Sequence, residues 1–323
     1  MPGMEDGPRI GAHLPLGAGM VRAARRAHEI GATAIQVFGD NPTAWRRRAA
    51  LPEELPEFRA RLAQFGIDPV AIHAPYLVNL AGVDRSFVER SIEVLAHELQ
   101  TADAYGARYV NVHTGSHRAT SLAEGIARLA EGVARVVGSV DGGPDGPVLV
   151  LENSAGGGFG VGSDVVQLTD IADAIAACGV APARVGFCLD TAHLWAAGVP
   201  IADPEDAERM VDEFDRRIGL ERLRLIHLND SKSELGSRLD RHEHVGAGQI
   251  GERGLGHLVR HPRLRHVAFL VETPGMDEGY DAINVARVRD LAAGRPLVPL
   301  PAEAFALRGS RSRAVGPASD VAS

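Results

Sequence analysis

The chain has 323 residues, of which 45% are hydrophobic and 24% are charged, and these values are ordinary for a globular protein. They argue against global disorder. The chain has no apolar run long enough for a membrane helix, and "MPGMEDGPR" lacks the cationic and apolar regions of a signal peptide. The formal net charge of −8 argues at first against nucleic acid as a partner, because such proteins are usually basic. The two cysteines, Cys178 and Cys188, fit a reduced, cytoplasmic protein better than a disulfide scaffold.

Eight short apolar stretches alternate with longer segments of helical periodicity from one end of the chain to the other. The first is "RIGAHLP" and the sixth is "VGFCLDTAH". We predict that all eight are β-strands, ending near residues 13, 39, 73, 113, 152, 190, 227 and 272. Nearly continuous apolar strands separated by helices are typical of a parallel sheet covered by helices. Eight such units predict an α/β fold of the (β/α)₈ TIM-barrel type, with long loops at its C-terminal face.

Helix boundaries support this alternation. "SLAEGIARLAEGVARVVGSV" begins with Ser121 and has Glu124 three residues later, which is the pattern of a capping box. "DPEDAERMVDEFDRRIG" carries Pro204 and acidic residues in its first turn and arginines in its last turn, as the helix dipole favours.

Three segments lie outside this regular pattern. Residues 231–250 form a long polar loop after the seventh predicted strand, and loops of that length are usually functional. We expect residues 1–8 to be a flexible N-terminus. Residues 295–323 are rich in Pro, Ala, Ser and Arg, and we predict that they form a disordered tail after a barrel domain of residues 9–294.

Candidate metal ligands stand at the ends of six predicted strands. In a barrel of this type, functional groups gather at the C-terminal ends of the strands. A single histidine there is usually a hydrogen-bonded core residue. Several carboxylates and imidazoles on one rim are different, because they repel one another or are costly to desolvate unless cations neutralise them. Imidazole and carboxylate ligands without thiolate suit zinc or a similar divalent metal. The six residues are His73, His113, Glu152, Asp190, His227 and Glu272.

Three more candidate ligands lie beyond the strands. Asp240 and His242 in "DRHEH" are two residues apart, so an extended chain places them on the same side. His193 follows Asp190 by three residues and lies beyond the strand, so it need not bind the same ion. These three residues make a second set of two histidines and one aspartate. We therefore expect Asp190 and His193 to bind different metals.

With these residues identified, the chain resembles the endonuclease IV (deoxyribonuclease IV) branch of abasic-site endonucleases, AP endonuclease family 2, over about residues 9–294. The motifs that carry the resemblance are "GAH", "HAPYLVNL", "LENSAGGG", "CLDTAH", "HLNDSK", "DRHEHVGAGQIG" and "ETP". All nine metal-ligand positions of that family are filled here in order. The resemblance implies three Zn²⁺ per chain, with Mn²⁺ as a possible occupant of one site.

The resemblance also implies how the ligands are shared. One zinc would be held by His73, His113 and Glu152. Glu152 would bridge to a second zinc held with Asp190, His227 and Glu272. The third would be held by His193, Asp240 and His242.

The implied reaction is hydrolysis of the phosphodiester 5′ to an abasic site in duplex DNA during base excision repair. It leaves a 3′-hydroxyl and a 5′-deoxyribose phosphate. Glu152 would position the attacking hydroxide, with Glu272 and Asp190 beside it as further catalytic residues. Three zinc ions outweigh four ligand carboxylates in charge, so a filled site is positive and can bind phosphate locally on an acidic protein.

DNA contacts are predicted less sharply than the ligands. By resemblance, Tyr76 and Leu77 would enter the duplex at the lesion, although ordinary loop packing is the alternative. The family commonly has an arginine where Thr43 stands, and neighbouring arginines are candidates to replace it. The candidates for phosphate contact are Arg46, Arg47, Lys232 and Arg241. We expect a monomer that acts on double-stranded DNA and does not bind membranes.

Two alternatives remain at this point. A sugar isomerase or epimerase on a similar barrel needs one divalent ion, which Glu152, Asp190, His227 and Glu272 alone are able to hold. That interpretation leaves the other five candidate ligands without a role. A non-catalytic lesion-binding or zinc-binding protein is less favoured, because binding alone does not require a bridging carboxylate.

Overall fold

The structure, a computed structural model, describes residues 7–118, 120–140 and 146–307. Its strands in chain order are β1 Arg9–His13, β2 Ala34–Phe38, β3 Val70–His73, β4 Ala107–His113, β5 Val148–Glu152, β6 Val185–Asp190, β7 Leu223–His227, β8 Asp230–Ser231, β9 His242–Glu243 and β10 Ala268–Val271. Its α-helices are α1 Met20–Glu29, α2 Leu55–Phe65, α3 Arg85–Tyr105, α4 Leu122–Gly138, α5 Val165–Ala177, α6 Thr191–Ala197, α7 Pro204–Arg217, α8 Gly251–Arg260 and α9 Tyr280–Ala292.

Eight of the strands close into a barrel in the order β1-β2-β3-β4-β5-β6-β7-β10, with β10 pairing back to β1. Each of these pairings is parallel, and the helices lie in the connections between strands. The predicted (β/α)₈ TIM barrel is therefore confirmed. The barrel leaves little room between β1 and β2, because a Cβ on Gly11 would lie 1.7 Å from the carbonyl oxygen of Ala34.

Apolar side chains form two layers around the strands. A large cluster packs between the strands and the helices. A smaller cluster consists only of strand residues with small or aliphatic side chains: Ala34, Ala71, Val150, Cys188, Leu225, Ala268 and Leu270. Alternation along each strand turns these residues to the barrel interior. The interior is therefore packed, and Cys188 is buried within it.

The predicted helix starts are also observed. Ser121 Oγ accepts from the Glu124 amide at 3.2 Å, and Glu124 Oε2 accepts from the Ser121 amide at 2.9 Å, so the capping box at α4 is confirmed. α7 begins at Pro204. The loop that runs from residue 231 to residue 250 is shaped by antiparallel pairing of β8 with β9.

The packed part of the chain extends beyond residue 294. Arg287 Nη1 in α9 donates to the Val298 carbonyl, and His244 Nε2 donates to the Ala304 carbonyl at 2.9 Å. Ala304 and Leu307 are buried. Two carbonyls within the predicted tail, those of Val298 and Ala304, thus accept hydrogen bonds from the barrel domain, while most residues of 295–307 are exposed. The remainder of that tail, 308–323, and residues 1–6 of the predicted flexible N-terminus lie outside the described residues.

Within the described part of the chain, no helix is both long enough and apolar enough to cross a membrane.

Candidate metal centre

The strand register brings the candidate ligands to one level of the barrel. His113 at the end of β4 pairs with Glu152 at the end of β5, and Asp190 of β6 pairs with His227 of β7. His73 of β3 pairs with Asn111, two residues before His113. Glu272 follows directly after β10. The six predicted ligands at strand ends therefore face one another at the C-terminal mouth, as expected from the sequence.

Glu152 lies at the centre of this group and is fully buried. Its Oε2 lies 3.5 Å from His73 Nε2, and its Oε1 lies 3.5 Å from His113 Nε2. His227 Nδ1 lies 3.3 Å from the same Oε1. Among the described residues, neither Glu152 Oε1 nor His227 Nδ1 has a hydrogen-bond partner of normal geometry. Buried polar atoms without partners are costly, so this arrangement fits a bound cation between them.

Two groups made only of imidazole and carboxylate donors share Glu152. In each group the ligand atoms lie within 4.8 Å of one another, which is close enough for one ion. The first contains His73, His113 and Glu152, and the second contains Glu152, Asp190, His227 and Glu272. These are the two sets that the resemblance implies, with Glu152 in both.

A third group lies beside them, nearer to solvent. His193 Nε2 lies 3.2 Å from Asp240 Oδ2, and His242 Nε2 lies 3.0 Å from Asp240 Oδ1. Asp190 Oδ2 also lies 3.5 Å from His242 Nε2. The Asp240 side chain is 51% exposed, whereas His193 is buried. The three residues predicted from "CLDTAH" and "DRHEH" thus come together, with Asp190 between this group and the second one.

Each of four imidazoles has one nitrogen committed to an acceptor and the other turned toward a carboxylate. His73, His193 and His242 donate through Nδ1 to the carbonyls of Ala74, Asn153 and Glu272, at 2.7, 2.9 and 2.7 Å. His227 instead donates through Nε2 to Gln36 Oε1 at 3.1 Å. A carbonyl only accepts, so it fixes the tautomer and leaves the other nitrogen with a lone pair. This is the usual environment of a histidine that binds a metal.

The ionisation of the site reflects the close packing of opposite charges. Burial raises the pKa of Glu152, but the imidazoles of His227 and His113 outweigh it and hold that pKa well below its usual range. Burial lowers the pKa of His242, but Asp190 and Asp240 raise it to about 9. Burial raises the pKa of Asp240, but His193 outweighs burial and holds that pKa well below its usual range. Glu152 and Asp240 are therefore ionised at neutral pH, as ligand carboxylates must be.

Four buried amides hold the ligands in place, and the sequence interpretation did not identify them as functional. Gln36 Nε2 donates to Glu272 Oε1 at 2.7 Å, and Asn229 Nδ2 donates to Asp190 Oδ2 at 2.7 Å. Asn111 donates to Glu152 Oε2, and Asn153 Oδ1 accepts from the Asp190 amide at 2.6 Å. A polar residue within an apolar strand, such as the glutamine in "AIQVF", is the feature that could have revealed them.

His13 plays a similar supporting part. Its Nδ1 accepts from Gln36 Nε2 at 3.0 Å and lies 3.4 Å from Glu272 Oε1.

Cys188 also lies close to Glu152 and His227, but burial raises the pKa of its thiol to about 12.

A half-open cavity of about 350 Å³ leads to these ligands. Tyr76 lies at its edge and is 63% exposed, with its ring 5.2 Å from the ring of Phe38. Leu77 is half-buried beside it. An exposed aromatic ring supported from behind by another aromatic ring suits contact with a flat or apolar partner.

The predicted phosphate-contact residues differ in their exposure to solvent and in their ion pairing. Arg46 and Arg241 are exposed, and Lys232 Nζ lies 3.9 Å from Glu243 Oε2. The Arg47 side chain is 9% exposed, and its Nη1 donates to Glu98 Oε1 at 3.0 Å. Burial of Glu98 raises its pKa to about 6. Arg47 therefore supports the loop after β2 from within.

Thr43, at the position where the family commonly has arginine, is exposed and is bonded to its own loop. Its hydroxyl donates to Asn41 Oδ1 at 2.9 Å, and its amide donates to the same oxygen at 3.0 Å. Thr43 thus closes a local turn.

Comparison with known proteins agrees with this geometry. The family described as "Xylose isomerase-like TIM barrel" matches residues 24–292. A protein named "Probable endonuclease 4" from Methanoculleus marisnigri is 39% identical over 283 residues, which cover 88% of this chain and 98% of that protein. A protein of the same name from Halothermothrix orenii is 36% identical over 282 residues, covering 86% of this chain and 99% of the relative.

Solved structures fall into two groups. The crystal structure of endonuclease IV from Thermus thermophilus is 39% identical and has a TM-score of 0.77, covering 89% of this chain and all of that one (100%). A D-tagatose 3-epimerase-like protein has a TM-score of 0.64 at 15% identity, covering 88% of this chain and 97% of its own. At that identity the second likeness concerns the fold alone.

Proposed function

Since the chain belongs to the endonuclease IV family of xylose isomerase-like TIM barrels, we propose that it is a zinc-dependent endonuclease acting on abasic sites in duplex DNA. The proposed reaction hydrolyses the phosphodiester 5′ to the abasic sugar and leaves a 3′-hydroxyl and a 5′-deoxyribose phosphate. Its place is base excision repair, and we expect a cytoplasmic enzyme that reaches chromosomal DNA.

The observation that carries this proposal is the convergence of nine side chains at the barrel mouth, where Glu152 Oε1, His227 Nδ1 and His242 Nε2 are buried without a hydrogen-bond partner among the described residues. We propose Zn²⁺ in each group, with Mn²⁺ as a possible occupant of one. Bound zinc lowers the pKa of water and neutralises charge on a phosphoryl group. The ligands are those named above: His73, His113, Glu152, Asp190, His193, His227, Asp240, His242 and Glu272.

The chain's own groups then act as follows. Glu152, with one oxygen toward His73 and the other toward His113 and His227, is placed to orient the attacking water between two ligand groups. Asp190 and Glu272 flank it as carboxylates that accept hydrogen bonds from side-chain amides. Because these donors are fixed before substrate arrives, little reorganisation is needed during the reaction.

Recognition of the lesion is proposed to use the edge of the same cavity. Tyr76 and Leu77 would fill the space in the duplex beside the abasic nucleotide, which is cheap to extrude because it has no stacked base. Arg46 and Arg241, which are exposed, and Lys232 would contact flanking phosphates.

The sugar isomerase alternative explains less of the site. One divalent ion held by Glu152, Asp190, His227 and Glu272 would serve it. The third group, in which His193 and His242 lie within 3.2 Å of Asp240, then has no purpose. This group favours the nuclease.

The direct test uses a duplex oligonucleotide that carries a tetrahydrofuran abasic analogue, and zinc-loaded protein without added Mg²⁺. We expect a single nick 5′ to the analogue. Glu152→Gln should lower the cleavage rate at least about a thousandfold, because the amide cannot supply the ionised bridging oxygen. Circular dichroism should stay unchanged.

Glu208→Gln is the matched control. Glu208 also lies among histidines, 2.9 Å from His257 and 3.0 Å from His261, but on the outer helices α7 and α8. The cleavage rate of Glu208→Gln should equal that of the wild type. Metal-replete protein that leaves the duplex intact while converting a ketose would overturn the nuclease proposal.

A further inference from the structure

A second cavity, larger than the one at the metal centre, opens on the same face of the barrel. Its volume is about 730 Å³, and it lies between the loop that joins β1 to α1 and the segment that follows β10. Pro15 and Met276 line both cavities, so the two are adjacent. A molecule that extends out of the metal centre in this direction enters the second cavity, here called the α1 cleft.

The α1 cleft presents cationic side chains from one face of α1. Met20, Ala23, Ala24 and Ala27 turn inward and are buried. The helical period therefore turns Arg22 and Arg25 outward, where both are exposed and line the cleft. Within the described part of the chain, neither guanidinium has an ion-pair partner.

The acidic residues of the cleft are already engaged by a third arginine. Arg26 Nε donates to Asp281 Oδ2 at 2.9 Å, and Arg26 Nη2 also contacts this carboxylate, which is buried. Arg26 Nη1 lies 4.0 Å from Glu29. Arg22 and Arg25 are thus left as exposed positive charges in a chain whose net charge is −8.

We propose that the α1 cleft binds the sugar-phosphate backbone of the DNA strand that flanks the lesion, with Arg22 and Arg25 contacting successive phosphates. The inference rests on the proposed function and adds to it a second surface, a cationic one, that contacts DNA phosphates. A phosphodiester backbone is the ligand that fits, because it is a flexible polyanion that continues out of the metal centre. Guanidinium groups bind phosphate oxygens with paired hydrogen bonds.

The test compares the wild type with the double variant Arg22→Ala/Arg25→Ala on the tetrahydrofuran duplex. Removal of two phosphate contacts should raise KM about tenfold at moderate salt and leave kcat unchanged, because neither residue reaches the metal centre. The slope of log Kd against log salt should fall by about 1.8, since each phosphate contact contributes about 0.9.

The matched control is Arg9→Ala/Arg265→Ala. Arg9 begins β1, and Arg265 precedes β10, so this pair removes the same charge at the opposite end of the strands that flank the cleft. Its KM and salt slope should stay close to those of the wild type.

The possible outcomes separate the two proposals. Absence of cleavage by the wild type rejects the proposed function. Normal cleavage by the wild type, together with equal KM and salt slope in the two double variants, rejects the α1 cleft as a DNA site. A raised KM and a shallower slope in Arg22→Ala/Arg25→Ala alone support it.

Discussion

Gln36 is the residue at which several parts of the metal centre meet. It lies in β2 and is fully buried. Its amide nitrogen donates to Glu272 Oε1 at 2.7 Å, and its amide oxygen accepts from His227 Nε2 at 3.1 Å. One side chain therefore orients a carboxylate and also fixes the tautomer that leaves His227 Nδ1 free for a cation.

Replacement of Gln36 by methionine should test this orienting role. Methionine has nearly the same volume and cannot make either hydrogen bond, so Glu272 and His227 would lose their common support. Loss of such a partner usually weakens metal affinity by about 10–100-fold. We expect a loss of zinc affinity in that range at the ligand group that contains Glu272 and His227. Competition with a chromophoric zinc chelator measures this affinity.

Gln100→Met provides the comparison. Gln100 is exposed on α3, and its amide reaches only the Ser139 carbonyl at 3.5 Å. Zinc affinity in this variant should match the wild type. Equal affinities in both variants would mean that Gln36 fills space and does not orient ligands.

At the level of elements, the loop that carries Asp240 and His242 is closed by one buried carboxylate. Asp230 Oδ1 accepts from the amides of Ser231 at 2.8 Å and Ile250 at 2.9 Å. Asp230 Oδ2 accepts from the amides of Gly248 at 2.9 Å and Gly251 at 3.1 Å. Asp230 therefore joins the two ends of the loop, and the candidate ligands Asp240 and His242 lie between them.

Gly248 belongs to the same closure. A Cβ at this position would lie 2.4 Å from the Ser231 carbonyl oxygen and 2.6 Å from Asp230 Oδ1. The close approach of backbone to carboxylate requires glycine here. The glycines in "GAGQIG" are thus explained in part by packing around Asp230.

Asp230→Ala should loosen this loop without dissolving the barrel. Several buried amides lose their acceptor, which should cost about 3 kcal/mol in the free energy of unfolding. Zinc content should fall from three ions per chain toward two, because the third group depends on Asp240 and His242. Denaturant titration and metal analysis of the purified variant measure the two effects.

The comparison for that variant is Asp84→Ala, which removes an exposed carboxylate that caps α3 by accepting from the Phe87 amide at 3.1 Å. Loss of a helix cap costs about 1 kcal/mol and should leave zinc content unchanged. A full zinc complement in Asp230→Ala would contradict the view that Asp230 holds the ligand loop.

The barrel and the convergence of the candidate ligands were predictable because both depend on short-range patterns. Predicted strand ends at 39 and 272 lie one residue beyond the observed ends at Phe38 and Val271. Six of the eight barrel strands end in a histidine or a carboxylate, Glu272 follows β10 directly, and the parallel strands of a closed barrel bring those ends together. His73, His113 and Glu152 therefore meet for a reason that is visible in the sequence.

Features that depend on distant partners were not predictable. Arg47 resembles an exposed phosphate ligand in "WRRR", but it pairs with Glu98, which is 51 residues away in the chain. Residues 295–307 have the composition of a disordered segment, yet Ala304 packs against the barrel and accepts from His244. Arg22 and Arg25 lie in an ordinary amphipathic helix, and only the fold places them beside the metal centre.

At the scale of the whole molecule, the metal centre and the core contribute separately to stability. The apolar layer between strands and helices extends around the entire barrel and does not include the ligands. Burial lowers the pKa of His227, but Cys188, Glu272 and Glu152 raise it well above its usual range, so without metal the imidazole takes up a proton and pairs with Glu152, whose Oε1 lies 3.3 Å from its Nδ1. The barrel should therefore stay folded when metal is removed, at reduced stability.

Chelation should lower the melting temperature by several degrees and leave the circular dichroism at 20 °C unchanged. A ligand that binds only the folded state, at a concentration one hundred times its Kd, adds about 2.7 kcal/mol to stability. Calorimetry with and without chelator measures the shift, and added zinc should restore it. The variant Asp240→Asn/His242→Asn disrupts only one ligand group, so chelation should still lower its melting temperature, but by less than in the wild type. Collapse of the secondary structure on chelation would mean that the ions, and not the apolar layers, hold the barrel together.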